Sequence, residues 1–359
     1  MATLHKLFKA AVDHKASDIH VAPGEPFILR RLGRLQKLRS PPLTPEQSQQ
    51  LICEVLTEAQ QRMLRTHQQL DFALEIPNLG RFRGSAMVHS RGLSAAFRVI
   101  PPTIPTLEDL GMPDTVKKVL DNHQGLILVT GATGHGKSTT LAAMVNHINA
   151  TRSHHVLTVE DPIEFVHPLK KCAINQRELN RNTLSYANAL KGALRQDPDV
   201  IVIGELRDLE TISLAISASE TGHLVIGTLS TSSAAKTIDR IIDSYPSREQ
   251  AQIRAMLSES LKAVITQRLI PAKDGKSMVM ALEILIGTLP LTNLIKDAKT
   301  FQIPSIMQTG KSVGMRIMDE SILELLQAEK ISAAEAFANA SNPDRFKTFV
   351  DKENTNGDD

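Results

Sequence analysis

The sequence predicts an α/β protein with a larger domain on a mostly parallel sheet and a smaller α+β domain before it. Three observations predict this. After residue 125, apolar strand candidates alternate with helical stretches, as a parallel sheet requires. Leu126–Val129 run into a turn of the form G-x-x-x-x-G-K-[ST] and then into an apolar helix from Leu141 to Ile148, the setting of a phosphate-binding loop. The chain has 359 residues, 42% hydrophobic and 22% charged, enough for two cores and too apolar for disorder.

The N-terminal domain is expected over residues 1–100. Leu4, Leu7, Phe8, Ala11 and Val12 share one face of a short helix. Ser17–Val21 reads as a strand, and Phe27–Arg31 with Arg34–Leu38 as a hairpin about Leu32–Gly33. Thr44 and Pro45 mark an N-cap and first position of a helix reaching about Leu56. Thr57–Leu64 is a second short helix, followed by strands over Leu70–Ile76, Gly80–His89 and Leu93–Ile100. Arg81 and Arg83 fall on one strand face, with Arg98 on the next strand. They form either a solvated basic face or a set that reaches a neighbour's nucleotide.

Pro101, Pro102, Pro105 and Pro113 make residues 101–110 a semi-rigid linker, and the larger domain is expected over 111–350. A helix over Thr115–Asn122 leads into the phosphate-loop strand. Further strands are Val156–Val159, Val200–Ile203, Leu224–Leu229 and Met278–Leu285. Helices are expected over Arg248–Gln267, Asp319–Ala328 and Ser332–Asn339. Residues 351–359 are polar and expected to be disordered.

Ligands in such sheets bind at the carboxyl ends of strands. There the backbone N–H groups of Gly131, Thr133, Gly134, His135 and Gly136, with the helix start at Ser138 and Thr139, can cradle phosphates. Lys137 reaches the β- and γ-phosphates, and the Ser138 hydroxyl sits on Mg²⁺. Glu205 is the first candidate for the strand-end acid, and Glu160 and Glu164 are candidates for polarising water. A plain ion pair, such as Glu205 with Arg207, is the competing reading.

Formal net charge is +2, which gives no global reason to expect nucleic acid or an anionic membrane as partner. No basic cluster with interleaved aromatics supports a DNA-translocating ring, so nucleic acid is not expected. The start, with His5, Lys6 and Lys9, lacks a signal-peptide core, and no apolar run has membrane-spanning length. A soluble, cytoplasmic protein is expected. Cys53 and Cys172 exclude a four-cysteine zinc site and read as small buried hydrophobes. His154 and His155 read as a solvated loop.

Four blocks stand in order: Gly131–Ser138, Val159–Glu164, Leu194–Asp208 and Glu220–Thr231. Together they resemble the Walker A, Asp box, Walker B and His box of the secretion ATPase superfamily. Residues 232–243 and the tail from Lys299 to Asp319 are similar to its PilT-like pilus retraction branch, and the likeness runs from about residue 3 to 345. The resemblance implies a RecA-like P-loop ATPase domain after a PAS-like N-terminal domain. It implies ATP and Mg²⁺ as cofactors, a homohexamer, and retraction of type IV pili in twitching motility. The implied partners are a pilus inner-membrane platform protein and a paralogous retraction ATPase, so the ring would lie at the cytoplasmic face of the membrane. Arg83 and Arg98 match the arginines that approach the phosphates from the N-terminal side. Glu160 and Glu164 match the Asp-box acids, Glu205 the Walker B acid, and His223 the first His-box histidine. Ser230 stands where the family has histidine, and Thr292 and Lys296 replace arginines. Serine carries no charge and lysine lacks the planar guanidinium fork. The alternatives are an assembly or secretion ATPase, which commonly carries a four-cysteine insertion and a longer N-terminal extension, or an accessory nucleotide-binding subunit with little turnover.

Overall fold

A computed structural model describes residues 2–31 and 34–355. The expected hairpin turn at Leu32–Gly33 and the end of the tail, 356–359, lie outside the described residues. The chain divides into two compact units. One comprises Met1–Ile104 with Asp161–Val166, the other Pro105–Glu160 with His167–Asp359.

The first unit opens with helix α1 (Ala2–Asp13), then strands β1 (Asp18–Val21), β2 (Ile28–Arg31) and β3 (Arg34–Lys37). Helices α2 (Pro45–Cys53) and α3 (Glu58–His67) precede strands β4 (Gln69–Ile76), β5 (Gly80–His89) and β6 (Gly92–Ile100). Both helices start at full capping boxes: Thr44 with Gln47 and Thr57 with Gln60 satisfy each other's backbone N–H groups. Thr57 starts its own helix, so α2 stops at Cys53, short of the expected Leu56. The six strands form an antiparallel sheet in the order β3-β2-β1-β6-β5-β4. Its core gathers Phe8, Phe72, Phe82 and Phe97, with Phe8 tilted on Phe82 at a centroid distance of 4.5 Å and edge-on to Phe97 at 5.1 Å. Phe72 faces Gly84 across β4 and β5, and a Cβ there would come within 2.4 Å of the ring, so the position excludes any side chain.

The second unit begins with α4 (Asp114–Leu120), β7 (Gly125–Thr130), α5 (Lys137–Thr151), β8 (His155–Glu160), β9 (Ala173–Glu178) and α6 (Tyr186–Ala193). It continues through β10 (Val200–Ile203), α7 (Leu209–Glu220), β11 (Leu224–Leu229), α8 (Ala234–Asp243) and α9 (Ser247–Ser260). Strands β12 (Leu261–Pro271) and β13 (Met278–Ile286) come next, and α10 (Leu289–Lys296), α11 (Ile303–Thr309), α12 (Met318–Gln327), α13 (Ala333–Asn339) and α14 (Lys347–Thr355) close the chain. The sheet order is β13-β12-β7-β11-β10-β8-β9, parallel throughout except for the antiparallel β12–β13 pair. Strands β7, β10 and β11 are buried at every position. Leu126 and Leu128 enter one core while Ile127 and Val129 enter the other, which is why these strands read as unbroken apolar runs.

The edge strand β9 ends in a tight loop that folds back on it. Asn182 N–H donates to the Glu178 carbonyl at 2.8 Å, and Arg177 donates to the Asn182 carbonyl at 2.9 Å.

Three expectations are corrected. The single helix expected over 248–267 ends at Ser260, and β12 takes over at Leu261. The apolar spacing of Leu261 and Val264 suits either period, but from Ala263 to Gln267 every residue is buried, between β7 and β13. The expected disordered tail is helical in its first part, because α14 reaches Thr355 and Glu353 accepts the Ala333 N–H at 2.8 Å. His155 begins β8 instead of lying in a loop, its ring held by the Asp197 carbonyl and Asn175. Cys172 is buried as expected, whereas Cys53 is only half-buried. Among the described residues no helix is long and apolar enough to cross a membrane.

Candidate functional site

The turn between β7 and α5 sits at the carboxyl end of the parallel sheet. Gly131, Gly134 and Gly136 have φ values of +142°, +86° and +83°, a backbone course that side chains resist. Gly131 also presses on β12: a Cβ there would lie 2.5 Å from the Gln267 carbonyl oxygen. Thr133, Gly134 and Ser138 are exposed, and Thr139 is half-buried in the first turn of α5. Lys137 folds back over the turn, its Nζ donating to the Gly131 carbonyl at 2.7 Å and the Ala132 carbonyl at 3.2 Å. Burial pushes the Lys137 pKa down, and the nearby Glu205 charge acts in the opposite direction. This places the strand-end acid within electrostatic reach of the loop lysine.

His135 does not face outward from the turn. Its Nδ1 accepts the Leu269 N–H at 2.9 Å, and its carbonyl accepts from the Gln267 amide at 2.5 Å. Sequence reasoning missed Gln267 because it placed that residue at the end of a helix, and missed Leu269 because it assigned no element there. Gln267 Oε1 is buried and has no hydrogen-bond partner among the described residues. A cavity of about 580 Å³ adjoins the loop at Gly136 and Thr139, walled by Gln267, Leu269, Met280 and Arg316, within the range of small-ligand sites.

Glu205 follows β10. Its Oε2 meets Arg207 Nε at 2.5 Å, and its Oε1 accepts the Ser230 hydroxyl at 3.2 Å. The anticipated Glu205–Arg207 pair is therefore present, and Ser230 is a direct neighbour of this acid. Glu160 ends β8 and accepts the Thr158 hydroxyl at 2.7 Å and the Gln176 amide at 3.0 Å.

Glu164, Arg83 and Arg98 belong to the first unit: the chain leaves β8 after Glu160, and Asp161–Val166 is part of that unit. There Arg83 pairs with Glu164 at 2.9 Å, and Arg81 donates to the Ile163 carbonyl at 2.8 Å. Arg98 is the cross-strand neighbour of Arg83 and pairs with Asp18 at 3.0 Å. His223 precedes β11 and neighbours Gly125, with its Nδ1 against the Ala218 carbonyl at 3.1 Å. That is the amino end of the sheet. It is level with the residue before Gly125, and the loop begins at Gly131, so seven residues at about 3.3 Å each put it roughly 23 Å from the loop. His223, which the resemblance puts among the catalytic residues, thus lies at the end of the sheet opposite this chain's own phosphate loop.

A family model described as type II/IV secretion system protein matches residues 1–283. The chain belongs to this family. The type IV pilus retraction ATPase PilT of Pseudomonas aeruginosa is 49% identical, covering 92% of this chain and 96% of its own length. The twitching motility protein of Neisseria gonorrhoeae is 48% identical over 88% of this chain and 84% of its own. Among solved structures, the pilus retraction motor PilT with bound ADP matches with a TM-score of 0.86 at 42% identity, covering 95% of this chain and 97% of that one. The P-loop α/β class expected from the sequence is thus the class of its secretion-system relatives.

Proposed function

We propose that this chain is the ATP-hydrolysing subunit of a hexameric ring that drives type IV pilus retraction. The observation that carries the reading is 49% identity with PilT over nearly the whole chain, on a fold where Glu205 meets Ser230, one residue past the Leu229–Thr130 pair from which the phosphate loop departs. The turn at 131–136 and the start of α5 hold the phosphates through backbone N–H groups. Lys137 exchanges the Gly131 and Ala132 carbonyls for phosphate oxygens. The exposed Ser138 hydroxyl and the Glu205 carboxylate are hard oxygen donors that suit Mg²⁺. When bound, Mg²⁺ supplies charge neutralisation across the phosphate oxygens. Glu205 first releases Arg207, an exposed pair costing at most about 1 kcal/mol to open. Glu160, held by Thr158 and Gln176, orients the attacking water. Arg83 and Arg98 serve a neighbouring protomer's nucleotide, and the ring works at the cytoplasmic face of the membrane through a platform protein.

Ser230 motivates a second reading, an accessory subunit with weak turnover, because a neutral hydroxyl touches Glu205 where the resemblance puts an imidazole. Purified protein separates the two: steady ATP turnover that Lys137→Gln abolishes supports the motor, and none supports the accessory subunit. Deletion of the gene then tests direction. Excess pili without surface movement support retraction, and bald cells overturn it in favour of assembly.

A further inference from the structure

Strands β7 and β12 pair in parallel up to Thr130 and Thr266, whose hydroxyls bond at 2.8 Å. Beyond that point β7 turns into the phosphate loop, while β12 runs on through Gln267, Arg268 and Leu269. The side of β12 that β7 covered is left with backbone groups that need partners. The loop provides them from a side chain. His135 Nδ1 accepts the Leu269 N–H at 2.9 Å, in the place a further β7 carbonyl would take. The Gln267 amide closes the other side by donating to the His135 carbonyl at 2.5 Å. Two residues later Lys137 opens α5.

We propose that His135 is a positioning residue that latches the phosphate loop onto β12, and that only its neutral ring can do so. The inference rests on the nucleotide-binding reading of this loop. An N–H donor requires an acceptor, so Nδ1 carries no proton and the ring proton sits on Nε2. Protonation of Nδ1 would set two donors face to face and release the loop from β12. The charged groups facing the ring are Arg268 from β12 and Lys137 from α5, both cations. Together with burial, the largest cause, they hold the ring's pKa below its ordinary value. The latch is therefore closed at neutral pH and opens on acidification.

The test is ATP affinity and turnover of the full-length protein between pH 7.5 and 5.5. The comparison includes His135→Ala, which lacks the acceptor, and His135→Asn, whose side-chain oxygen can accept the Leu269 N–H without titrating. At pH 7.5 the Ala variant is expected to raise KM for ATP about tenfold with kcat within about twofold, as loss of one such hydrogen bond implies. The Asn variant, which restores an acceptor, should recover most of the affinity that the Ala variant loses. Nitrogen-15 spectra of histidine-labelled wild type, assigned through the Asn variant, should show an unprotonated Nδ1 at pH 7.5. Unchanged KM in the Ala variant or a protonated Nδ1 at pH 7.5 would each overturn the latch. Wild type that binds no ATP at pH 7.5 would overturn the nucleotide reading on which it rests.

Discussion

Gly131 and Gly134 lie three residues apart in the same turn, both with positive φ, yet alanine should affect them differently. At Gly134 a Cβ meets nothing within 4 Å, so Gly134→Ala costs only the backbone conformation, about 1 kcal/mol. At Gly131 a Cβ would lie 2.5 Å from the Gln267 carbonyl oxygen, well inside contact distance. That oxygen cannot retreat easily, because β12 pairs with β13 through Gln267 and Leu282 and with β7 just before it. Overpacking against fixed backbone adds about 1–3 kcal/mol, so Gly131→Ala should cost about 2–5 kcal/mol in all. For a unit of this size, each kcal/mol shifts Tm by roughly 2–4 °C. Melting of the two purified variants, with nucleotide affinity measured alongside, makes the comparison. Gly131→Ala should melt several degrees below Gly134→Ala and bind ATP more weakly. Equal melting temperatures and equal affinities would refute the claim that the turn is pressed against β12.

Further predictions concern charge. Glu205→Gln should lower ATP turnover at least about 100-fold while leaving nucleotide binding intact, since it removes the strand-end carboxylate and keeps its shape; turnover assays with a binding control check this. His167 is pushed down to about 4, first by burial and then by the Lys170 charge. The unfolded chain, with an ordinary value near 6.5, then binds more protons, so stability is lost as pH falls from about 6.5 toward 4. Urea unfolding should show a loss of about 2 kcal/mol between pH 7 and 5 that His167→Asn reduces, and parallel profiles for the two proteins would count against it. The partly exposed Arg83–Glu164 pair should show a coupling of about 0.5–1 kcal/mol in a double-mutant cycle of stability.

The elements around the phosphate loop were legible because two signals agreed there. Leu126–Val129 form an apolar run long enough for a strand, and Gly136 and Lys137 mark where a helix can begin. Strands β8, β10 and β11 were legible for the same reason, each buried on both faces. The first unit was legible through its caps, since Thr44 and Thr57 each announce a helix three residues before a glutamine. What failed was local ambiguity. Leu261 and Val264 fit a helical stripe, and only the partners of β12, distant in sequence, decide for a strand. Helix α7 escaped notice although Asp208, its N-cap, accepts the Thr211 N–H at 2.8 Å. Edge strand β9 (Ala-Ile-Asn-Gln-Arg-Glu) carries too few apolar residues to announce itself. In the site, the spacing located Lys137, Glu160 and Glu205 but not their company. Nothing in the motif says that His135 turns inward, that Glu164 leaves for the other unit, or that His223 sits at the far end of its strand.

The fold-back after β9 decides how the large sheet ends. An edge strand with open N–H and C=O groups invites another chain to add to it. Here the chain's own loop already bonds to the Glu178 carbonyl and the Arg177 side chain, at the carboxyl end of the strand, and Gln176 is held by Glu160 and His167. A stray strand from a second molecule would meet a carbonyl, an amide and a guanidinium already committed at that end of β9, so the fold-back makes this end of the edge a poor template for pairing.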